Sequence, residues 1–205
     1  STKYKNVPKE SHEDWKTQYY KGSNVDDLVR VGIESGLLSK EETALPKLKW
    51  YKAPPVETIE KLELEMHWFS YYVKWIPQEN FYYAVKHTGM ELNDEGRTEG
   101  TYTKYASLDD KMDGFHFYPA YMKFGLGRCS RDAQQDIRRH HITREEGIAL
   151  VRRYDGEFPN KYFKWMLEYL DFSEEHFWEI MDFYRSQSNI WKNENGVWKL
   201  KHIVS

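Results

Sequence analysis

The sequence predicts a mostly α-helical protein with a small β component. Helix-start signals recur along its 205 residues, among them a capping-box pattern at residues 143–146 and a serine cap at Ser173. The chain is rich in aromatic residues, with 8 Trp, 16 Tyr and 10 Phe, so it can form a substantial core. Near the end, Asn195-Gly196 lies between two Trp-Lys pairs, which is a strong hairpin signal. We therefore expect the C-terminal portion to be a small antiparallel helical bundle followed by a short hairpin.

Composition and charge exclude several classes of protein. The net charge is −3, which argues against a general nucleic-acid binder or a membrane-surface binder. Cys129 is the only cysteine, so an internal disulfide is excluded and a reducing, cytoplasmic location is expected. No apolar run is long enough for a membrane span. Because the sequence starts at Ser1 without an initiator methionine, we expect it to be a fragment of a longer protein.

Three short helices are expected in the first part of the chain. The first begins at Asn24, has acidic residues in its first turn and directs Leu28 and Val31 inward. The second is capped by Ser39 in a capping-box pattern, and the third follows Pro54 and Pro55.

Residues 64–75 are the best strand candidate, because they are aromatic and apolar on both alternating faces, as a strand buried on both sides would be. Pro77 then starts a helix, so strand and helix would form half of a βα unit. Three segments are therefore expected. They are a connecting helical segment at residues 1–63, the end of an α/β domain with a substrate loop at 64–128, and a C-terminal helical domain at 129–205.

Residues 90–106 form a polar, glycine-punctuated stretch without helical or strand periodicity, and long loops of this kind are often functional. A cation, an acid, a hydroxyl and a second cation lie close together in it, which suits a sugar or a nucleotide, although charged loops are commonly just solvated. These residues are Arg97, Glu99, Thr101 and Lys104. Ser107 is expected to cap the next helix, and Pro119 should kink or end it.

The stretch from 123 to 138 leads from two glycines into a helix. Lys123 and Arg128 would surround the unpaired N–H groups of the helix N-terminus with positive charge, which predicts an anion site. The alternative is an ordinary loop-to-helix junction with solvated basic residues. Cys129 aligns with Ala133 and Ile137 on one apolar face, so we expect the thiol to belong to the core.

Other clusters carry weaker predictions. Asp109 and Asp110 are best explained as acidic residues in the first turn of a helix, where they interact favourably with the helix dipole. For Asp113, a role as a supporting site residue or as a Mg²⁺ ligand remains open. The adjacent histidines at 140–141 point about 100° apart on a helix, so they rarely share a metal, and we assign no metal ligands. No nucleophile elbow or Walker-type loop is present, and the catalytic residues stay unknown.

Four blocks, in order and with matching spacing, resemble one family. They read KWIPQENFYYAVKHTGM, GRTEGTYTKYASLDDKMDGFHFY, KFGLGRCSRDAQQDIR and ITREEGIALVRRYDGEFPNKYF. The sequence from about Trp68 to Arg185 is similar to the C-terminal half of the N-acetyl sugar amidotransferases of lipopolysaccharide and related surface-glycan biosynthesis.

That resemblance implies a PP-loop ATP pyrophosphatase, an α/β fold of the adenine nucleotide α-hydrolase-like kind. In such enzymes ATP, with Mg²⁺, adenylates the amide oxygen of a sugar N-acetyl group. Ammonia from a separate glutaminase then displaces AMP and leaves an acetamidino group. The SGGxDS loop and the cysteine pairs of that family do not occur in residues 1–205, so the catalytic motif is expected elsewhere.

The resemblance also implies roles for residues of this chain. Lys123 and Arg128 would bind phosphate, either of ATP or of a nucleotide-linked N-acetyl sugar. Arg97, Glu99, Thr101 and Lys104 would lie on the sugar side. Asp132 and Arg138 would either orient Arg128 or simply pair on the helix surface.

Two other functions remain open. The surplus of Trp and Tyr is typical of interfaces, which would suit a non-catalytic helical module for a homodimer or for docking the glutaminase. Nucleic-acid binding rests only on the basic helix and is the weakest reading.

Overall fold

The computed structural model describes residues 25–43, 50–52 and 54–205. The chain divides into two compact units, Ser1–Asn80 and Phe81–Ser205. This division falls at neither of the expected boundaries, residues 63 and 128, and the three-segment organisation stays a prediction. The expected helix start at Asn24 lies outside the described residues.

The described part of the first unit consists of short helices. They are α1 (Val25–Glu34), α2 (Lys40–Thr43), α3 (Val56–Lys61) and α4 (Phe69–Tyr72), and α5 (Pro77–Thr88) begins in this unit and ends in the second. The capping box of α2 is confirmed, because Ser39 and Glu42 exchange backbone-to-side-chain hydrogen bonds. The inward orientation of Leu28 and Val31 is wrong, since α1 buries none of its residues and both side chains are exposed.

The strand expected at residues 64–75 is also wrong. This stretch contains α4 instead, and its large side chains face outward, with Phe69 71% and Trp75 52% exposed. A strand buried on both faces needs sheet neighbours on each side. Within the described ranges the only sheet is a two-stranded hairpin at the other end of the chain, so no βα unit forms here.

The second unit contains five further helices and the hairpin. The helices are α6 (Asp113–Phe124), α7 (Arg128–Arg138), α8 (Arg144–Tyr154), α9 (Phe163–Leu170) and α10 (Glu174–Ser186), followed by β1 (Trp191–Glu194) and β2 (Val197–Leu200). The mostly helical prediction with a small β component is confirmed. Two predicted helix caps are confirmed as well: Thr143 forms a complete capping box, and Ser173 accepts from the backbone N–H of His176.

The helical packing differs from the expected bundle of α8, α9 and α10. Helix α7 packs on α8, and α6 packs on α10, which also contacts β1. The reason is the connection between α8 and α9: it is eight residues long, and its polar groups bind the loop and helix that precede it in sequence. The core is centred on Phe177, and the other buried members are Tyr118, Met122, Met181 and Trp191.

The hairpin has the predicted turn. β1 and β2 pair antiparallel with Trp191 opposite Leu200. Asn195 and Gly196 both have positive φ, 55° and 85°, as a two-residue type I′ turn requires. The hairpin is fixed to α6 by the indole N–H of Trp191, which donates to the carbonyl of Met122 at 2.7 Å.

Helix α6 departs from its prediction at its start and at its proline. Ser107 lies in the left-handed region with φ 58° and does not cap the helix, which begins six residues later at Asp113. Pro119 lies inside α6 and does not end it; the helix continues to Phe124 and ends at Gly125, which has φ 68°. Within the described part of the chain, every helix is too short or too polar to cross a bilayer.

We predict that Phe177→Ala lowers the free energy of unfolding by about 3–5 kcal/mol, because it leaves a cavity at the centre of the core. Phe183 on the same helix is 58% exposed, whereas Phe177 is 1% exposed. The matched control Phe183→Ala should therefore cost less than about 1 kcal/mol. Urea unfolding followed by circular dichroism measures both values, and equal losses would contradict this assignment of the core.

Candidate functional site

The 90–106 loop, which joins α5 to α6, has no helix or strand, as predicted. Its two ends are close together, because the backbone N–H of Asn93 donates to the carbonyl of Lys104 at 3.2 Å. At its centre Gly100 is buried with φ 84°, and its Cα side faces the ring of Phe117. Only glycine adopts this backbone conformation without strain. The loop is therefore a compact element packed against α6.

Glu157 holds the loop from the connection between α8 and α9. Its two carboxylate oxygens accept from the guanidinium of Arg97 at 2.5 and 2.6 Å, and one of them also accepts from the backbone N–H of Gly100 at 2.9 Å. Arg97 donates further to the carbonyl of Thr101 and stacks 4.3 Å above the ring of Tyr154. Because its guanidinium hydrogen-bonds to Glu157 and Thr101, Arg97 positions the loop and has no donor directed towards a ligand.

The other three loop candidates lie in different surroundings. Thr101 is fully buried, and its hydroxyl donates to the carbonyl of Thr98 at 2.7 Å, so it stabilises the turn and does not reach a ligand. Glu99 is half-buried and accepts from the backbone N–H of Lys161 at 2.9 Å. Lys104 is exposed and makes no ion pair with any residue that the structure describes. Glu99 and Lys104 thus remain available for a ligand.

The N-terminus of α7 is occupied by a carboxylate of the protein itself. Asp155 accepts from the backbone N–H of Gly127 at 2.9 Å, from the N–H of Ser130 at 3.1 Å and from the Ser130 hydroxyl at 2.6 Å. A Cβ at Gly127 would lie 2.5 Å from a carboxylate oxygen of Asp155, so this glycine permits the close approach. The sequence predicted a ligand phosphate at this helix end, whereas in the structure the carboxylate of Asp155 occupies it.

Lys123 and Arg128 have separate surroundings. Arg128 donates from Nε to both oxygens of Asp132 at 2.9 Å, and its guanidinium lies 5.1 Å from the centre of the Phe117 ring. Lys123 lies on α6, with its ammonium group 5.2 Å from the ring centre of Phe124 and 5.7 Å from that of Tyr184. The structure records no contact shared by the two cations. The two cations therefore contact different side chains, and their shared role as phosphate ligands stays a prediction.

The supporting residues take different positions. Of the two alternatives for Asp132, the structure has the orienting pair with Arg128; burial raises the pKa of Asp132, and the guanidinium opposes that rise. Arg138 is exposed at the end of α7. Asp113 is the first residue of α6, where a negative charge interacts favourably with the helix dipole. Cys129 is fully buried, and burial raises its pKa to about 12, so it is a core residue as predicted.

A second carboxylate on α7 was missed by the sequence reasoning. Asp136 is buried, accepts from the hydroxyl of Tyr102 at 2.5 Å, and lies 3.8 Å from Nδ1 of His141. Burial, and then the bond to Asp136, raise the pKa of Tyr102 above its usual range. The spacing of Asp132 and Asp136, four residues apart beside the apolar face of α7, was the available signal.

One small polar cavity, with a volume of about 50 Å³, lies between the loop, the start of α6 and the segment before α9. Charges of both signs line it, and Glu99, Asp110, Lys111, Lys161 and Tyr162 are among its lining residues. Beside it the ammonium group of Lys111 lies 5.4 Å from the ring centre of Tyr162 and 5.9 Å from that of Trp165.

The aromatic rings near Lys111 include a partly exposed pair on α9. Trp165 stacks on Tyr169 with ring centres 5.5 Å apart, and both rings reach solvent. At the rim, Glu95 accepts from Lys161 at 2.6 Å and from the Tyr162 hydroxyl at 2.5 Å, and the bond from Lys161 lowers the pKa of Glu95. Hydrogen-bonding side chains next to an apolar ring face are the groups that bind a polar ligand with one apolar side, such as a sugar ring.

The described residues offer no site for Mg²⁺. Residues 25–43, 50–52 and 54–205 contain no group of three His, Cys, Asp or Glu side chains that could hold a metal ion. The N-terminus of α7, where the sequence predicted a phosphate, is occupied by the carboxylate of Asp155. The roles of ATP and Mg²⁺ therefore stay a prediction.

Asp155→Ala should lower the free energy of unfolding by about 2 kcal/mol, because α7 loses its cap and two backbone N–H groups lose a charged acceptor. Gly127→Ala should also destabilise the wild-type protein, because its Cβ clashes with Asp155. In the Asp155→Ala background the same glycine substitution should cost clearly less. Urea unfolding of the four proteins tests this cycle, and additive effects would refute the contact.

Glu157 gives a pH-dependent prediction. Partial burial raises its pKa, but the hydrogen bonds from Arg97 and Gly100 outweigh burial and lower the pKa below the usual value. A lowered pKa in the folded state means that the stabilisation is complete above about pH 4.5 and is lost as the pH falls through the folded pKa.

The stability difference between wild type and Glu157→Gln should therefore be constant near neutral pH and shrink below about pH 4.5. Urea midpoints between pH 3 and pH 7 measure it. Glu168→Gln, an exposed substitution on α9, is the control and should show no such pH dependence. A stability difference between wild type and Glu157→Gln that grows as the pH falls would contradict the lowered pKa of Glu157.

A family model matches the second half of the chain. The family model described as "LPS biosynthesis protein WbpG-like, C-terminal domain" matches residues 99–204, more than half of the chain. The matched part begins within the 90–106 loop and includes α6 to α10 and most of the C-terminal segment. A search of curated proteins finds no match. The chain therefore belongs to the WbpG-like family of lipopolysaccharide biosynthesis proteins and contains its C-terminal domain.

Proposed function

We propose that this chain is the sugar-binding side of an ATP-dependent amidotransferase that converts a sugar N-acetyl group to an acetamidino group during lipopolysaccharide biosynthesis. Membership of the WbpG-like family supports the biosynthetic role. The observation that carries the sugar-binding role is the polar cavity, one of whose lining residues, Lys111, has its ammonium group 5.9 Å from the ring centre of Trp165.

In this proposal Glu99 and Lys111 hydrogen-bond the hydroxyl and amide groups of the sugar, and Trp165 contacts its apolar face. Glu99 is fixed by the backbone N–H of Lys161, so the orientation of its carboxylate is set before a ligand arrives. Lys104 is a further candidate from the same loop. Arg97, Thr101 and Arg128 position the loop and do not touch the sugar.

ATP, Mg²⁺ and the residues that activate the amide would be held outside the described residues, and a separate glutaminase would supply the ammonia. The present chain contributes binding and orientation, which are effective because a correctly held amide reacts at a much higher rate than a free one. The substrate in the proposal is a nucleotide-linked N-acetyl sugar.

The test is an assay of the intact protein with ATP, Mg²⁺, an ammonium salt and a nucleotide-linked N-acetyl sugar, followed by mass spectrometry for replacement of the amide oxygen by nitrogen. Glu99→Gln should raise the KM for the sugar about tenfold, the effect of losing one charged hydrogen bond. Trp165→Ala should act in the same direction.

Glu168→Gln is the matched control, because this exposed glutamate on α9 lies outside the cavity. No amidino product under any ammonia source would overturn the proposed reaction. An unchanged KM in both Glu99→Gln and Trp165→Ala would overturn the location of the sugar site.

A second candidate is a non-catalytic interaction module, for a homodimer or for the glutaminase. It is favoured by the exposed aromatic residues of α4 and its neighbours, among them Phe69, Tyr71, Tyr72 and Trp75. Sedimentation of the intact protein alone and with the glutaminase separates the two functions. Association that Phe69→Ser and Trp75→Ser abolish, with no sugar binding, would favour this candidate.

A further inference from the structure

The polar cavity of the proposed sugar site has less room than its ligand needs. Its volume is about 50 Å³, whereas pockets that bind small organic molecules typically measure about 300 Å³ or more. Since one water molecule takes up roughly 10–15 Å³ on this measure, the cavity has room for only a few waters. A sugar that binds between the 90–106 loop and α6 therefore requires one wall of the cavity to move.

The part of the loop at residues 97–101 is firmly held. Glu157 binds the guanidinium of Arg97 with both carboxylate oxygens and also accepts from the backbone N–H of Gly100. The Arg97 and Glu157 side chains are each only 28% exposed, and Thr101 beside them is fully buried. Charged hydrogen bonds in partly buried surroundings are costly to break. This part of the loop is therefore not the wall that moves.

The preceding residues, 93–96, form a separate turn. The backbone N–H of Gly96 donates to the carbonyl of Asn93, and the side chain of Asn93 accepts from the N–H of Glu95, each at 3.0 Å. Gly96 has φ 96°, and no described residue other than its chain neighbours lies within 4 Å of the position that a Cβ would take. Because glycine is free to change its backbone conformation and the surrounding space is open, Gly96 is placed to act as a hinge between this turn and Arg97.

The turn reaches across the rim of the cavity through Glu95. Its carboxylate accepts from the ammonium group of Lys161 at 2.6 Å and from the hydroxyl of Tyr162 at 2.5 Å, and both donors line the cavity. The same ammonium group donates to the backbone carbonyl of Glu95 at 3.4 Å. The side chain of Glu95 is 58% exposed, and ion pairs with such exposure contribute little stability. The contact therefore has well-defined partners and is easily broken.

We propose that Glu95 is a latch that keeps the polar cavity closed. When its carboxylate releases Lys161 and Tyr162, the turn at residues 93–96 swings about Gly96 and the cavity opens. The released ammonium and hydroxyl groups then become available to the hydroxyl and amide groups of the sugar. The inference rests on the proposed function for the identity of the ligand, whereas opening of the latch is a property of the protein alone.

Hydrogen exchange of the intact protein without any ligand tests the latch itself. Glu95→Ala should lower the protection factors of the backbone amides at residues 95 and 96 about fivefold, because the turn loses the ion pair and the tyrosine hydrogen bond that hold it. The amide of Gly100, which Glu157 binds, should keep its protection.

Glu194→Ala is the matched control. Glu194 is likewise a surface glutamate with two side-chain partners, Lys192 and Lys199, and it lies on the hairpin, outside the residues that line the cavity. This variant should leave the protection at residues 95 and 96 unchanged. Unchanged protection in Glu95→Ala would overturn the latch, and so would a loss that extends through Gly100, because it would indicate general loosening of the loop.

Sugar binding is measured separately, by NMR titration of the intact protein with N-acetylglucosamine, a neutral N-acetyl sugar without a nucleotide. Glu95→Ala should bind this sugar about fivefold more tightly than the wild type, because a larger fraction of the protein is open. Added salt should tighten binding to the wild type in the same way, because it screens the exposed ion pair, whereas the ligand has no charge to screen. Glu95→Ala should lack this salt dependence.

The sign of the change in affinity separates a latch from a ligand contact. Unchanged or weaker binding of N-acetylglucosamine in Glu95→Ala would overturn the latch, and weaker binding would place Glu95 among the residues that contact the sugar. If neither protein binds the sugar but protection is lost selectively at residues 95 and 96, the latch stands and the proposed sugar site does not. If both bind it equally and protection is unchanged, the sugar site stands without the latch.

Discussion

The arrangement of the second unit depends on one short turn, Asp155-Gly156-Glu157. Its two carboxylates reach different elements: Asp155 binds the start of α7, and Glu157 binds the 90–106 loop. Gly156 has φ 74°, and a Cβ at this position would lie 2.2 Å from the ring of Tyr121, so the turn is also pressed against α6. The turn thus holds two segments, the start of α7 and the loop, by charged hydrogen bonds, which are among the stronger ones in proteins, and it contacts the third, α6, by packing.

Charged side chains of the sequence motifs serve the framework of this unit. Arg97, Arg128 and Asp155 are the conspicuous charges of those motifs, yet each is satisfied by a partner inside the protein. Lys111 and Lys123 differ from them, because their ammonium groups lie against aromatic rings. A motif rich in charge can therefore mark the place where a loop is fixed.

The features predictable from sequence were local ones. The capping box at Thr143, the Asn195-Gly196 turn and the buried face of Cys129 depend on residues within a few positions of each other, so spacing alone decides them. The strand that was wrongly predicted at residues 64–75 shows the limit of such local patterns. An apolar pattern does not reveal whether neighbouring strands exist to form a sheet. The acceptor at the start of α7 could not be predicted either, since Asp155 lies 28 residues beyond Gly127 and only the fold brings them together.

The attachment of Trp191 to the carbonyl of Met122 has a consequence for how the domain can be divided. Met122 immediately precedes Lys123, so the last turn of α6 is positioned by a strand that the chain reaches 69 residues later. The hairpin is small, but it completes the core through Trp191 and holds the end of α6 at the same time. Excision of a working domain would therefore have to keep the chain through Leu200, however dispensable so short a strand pair looks in isolation.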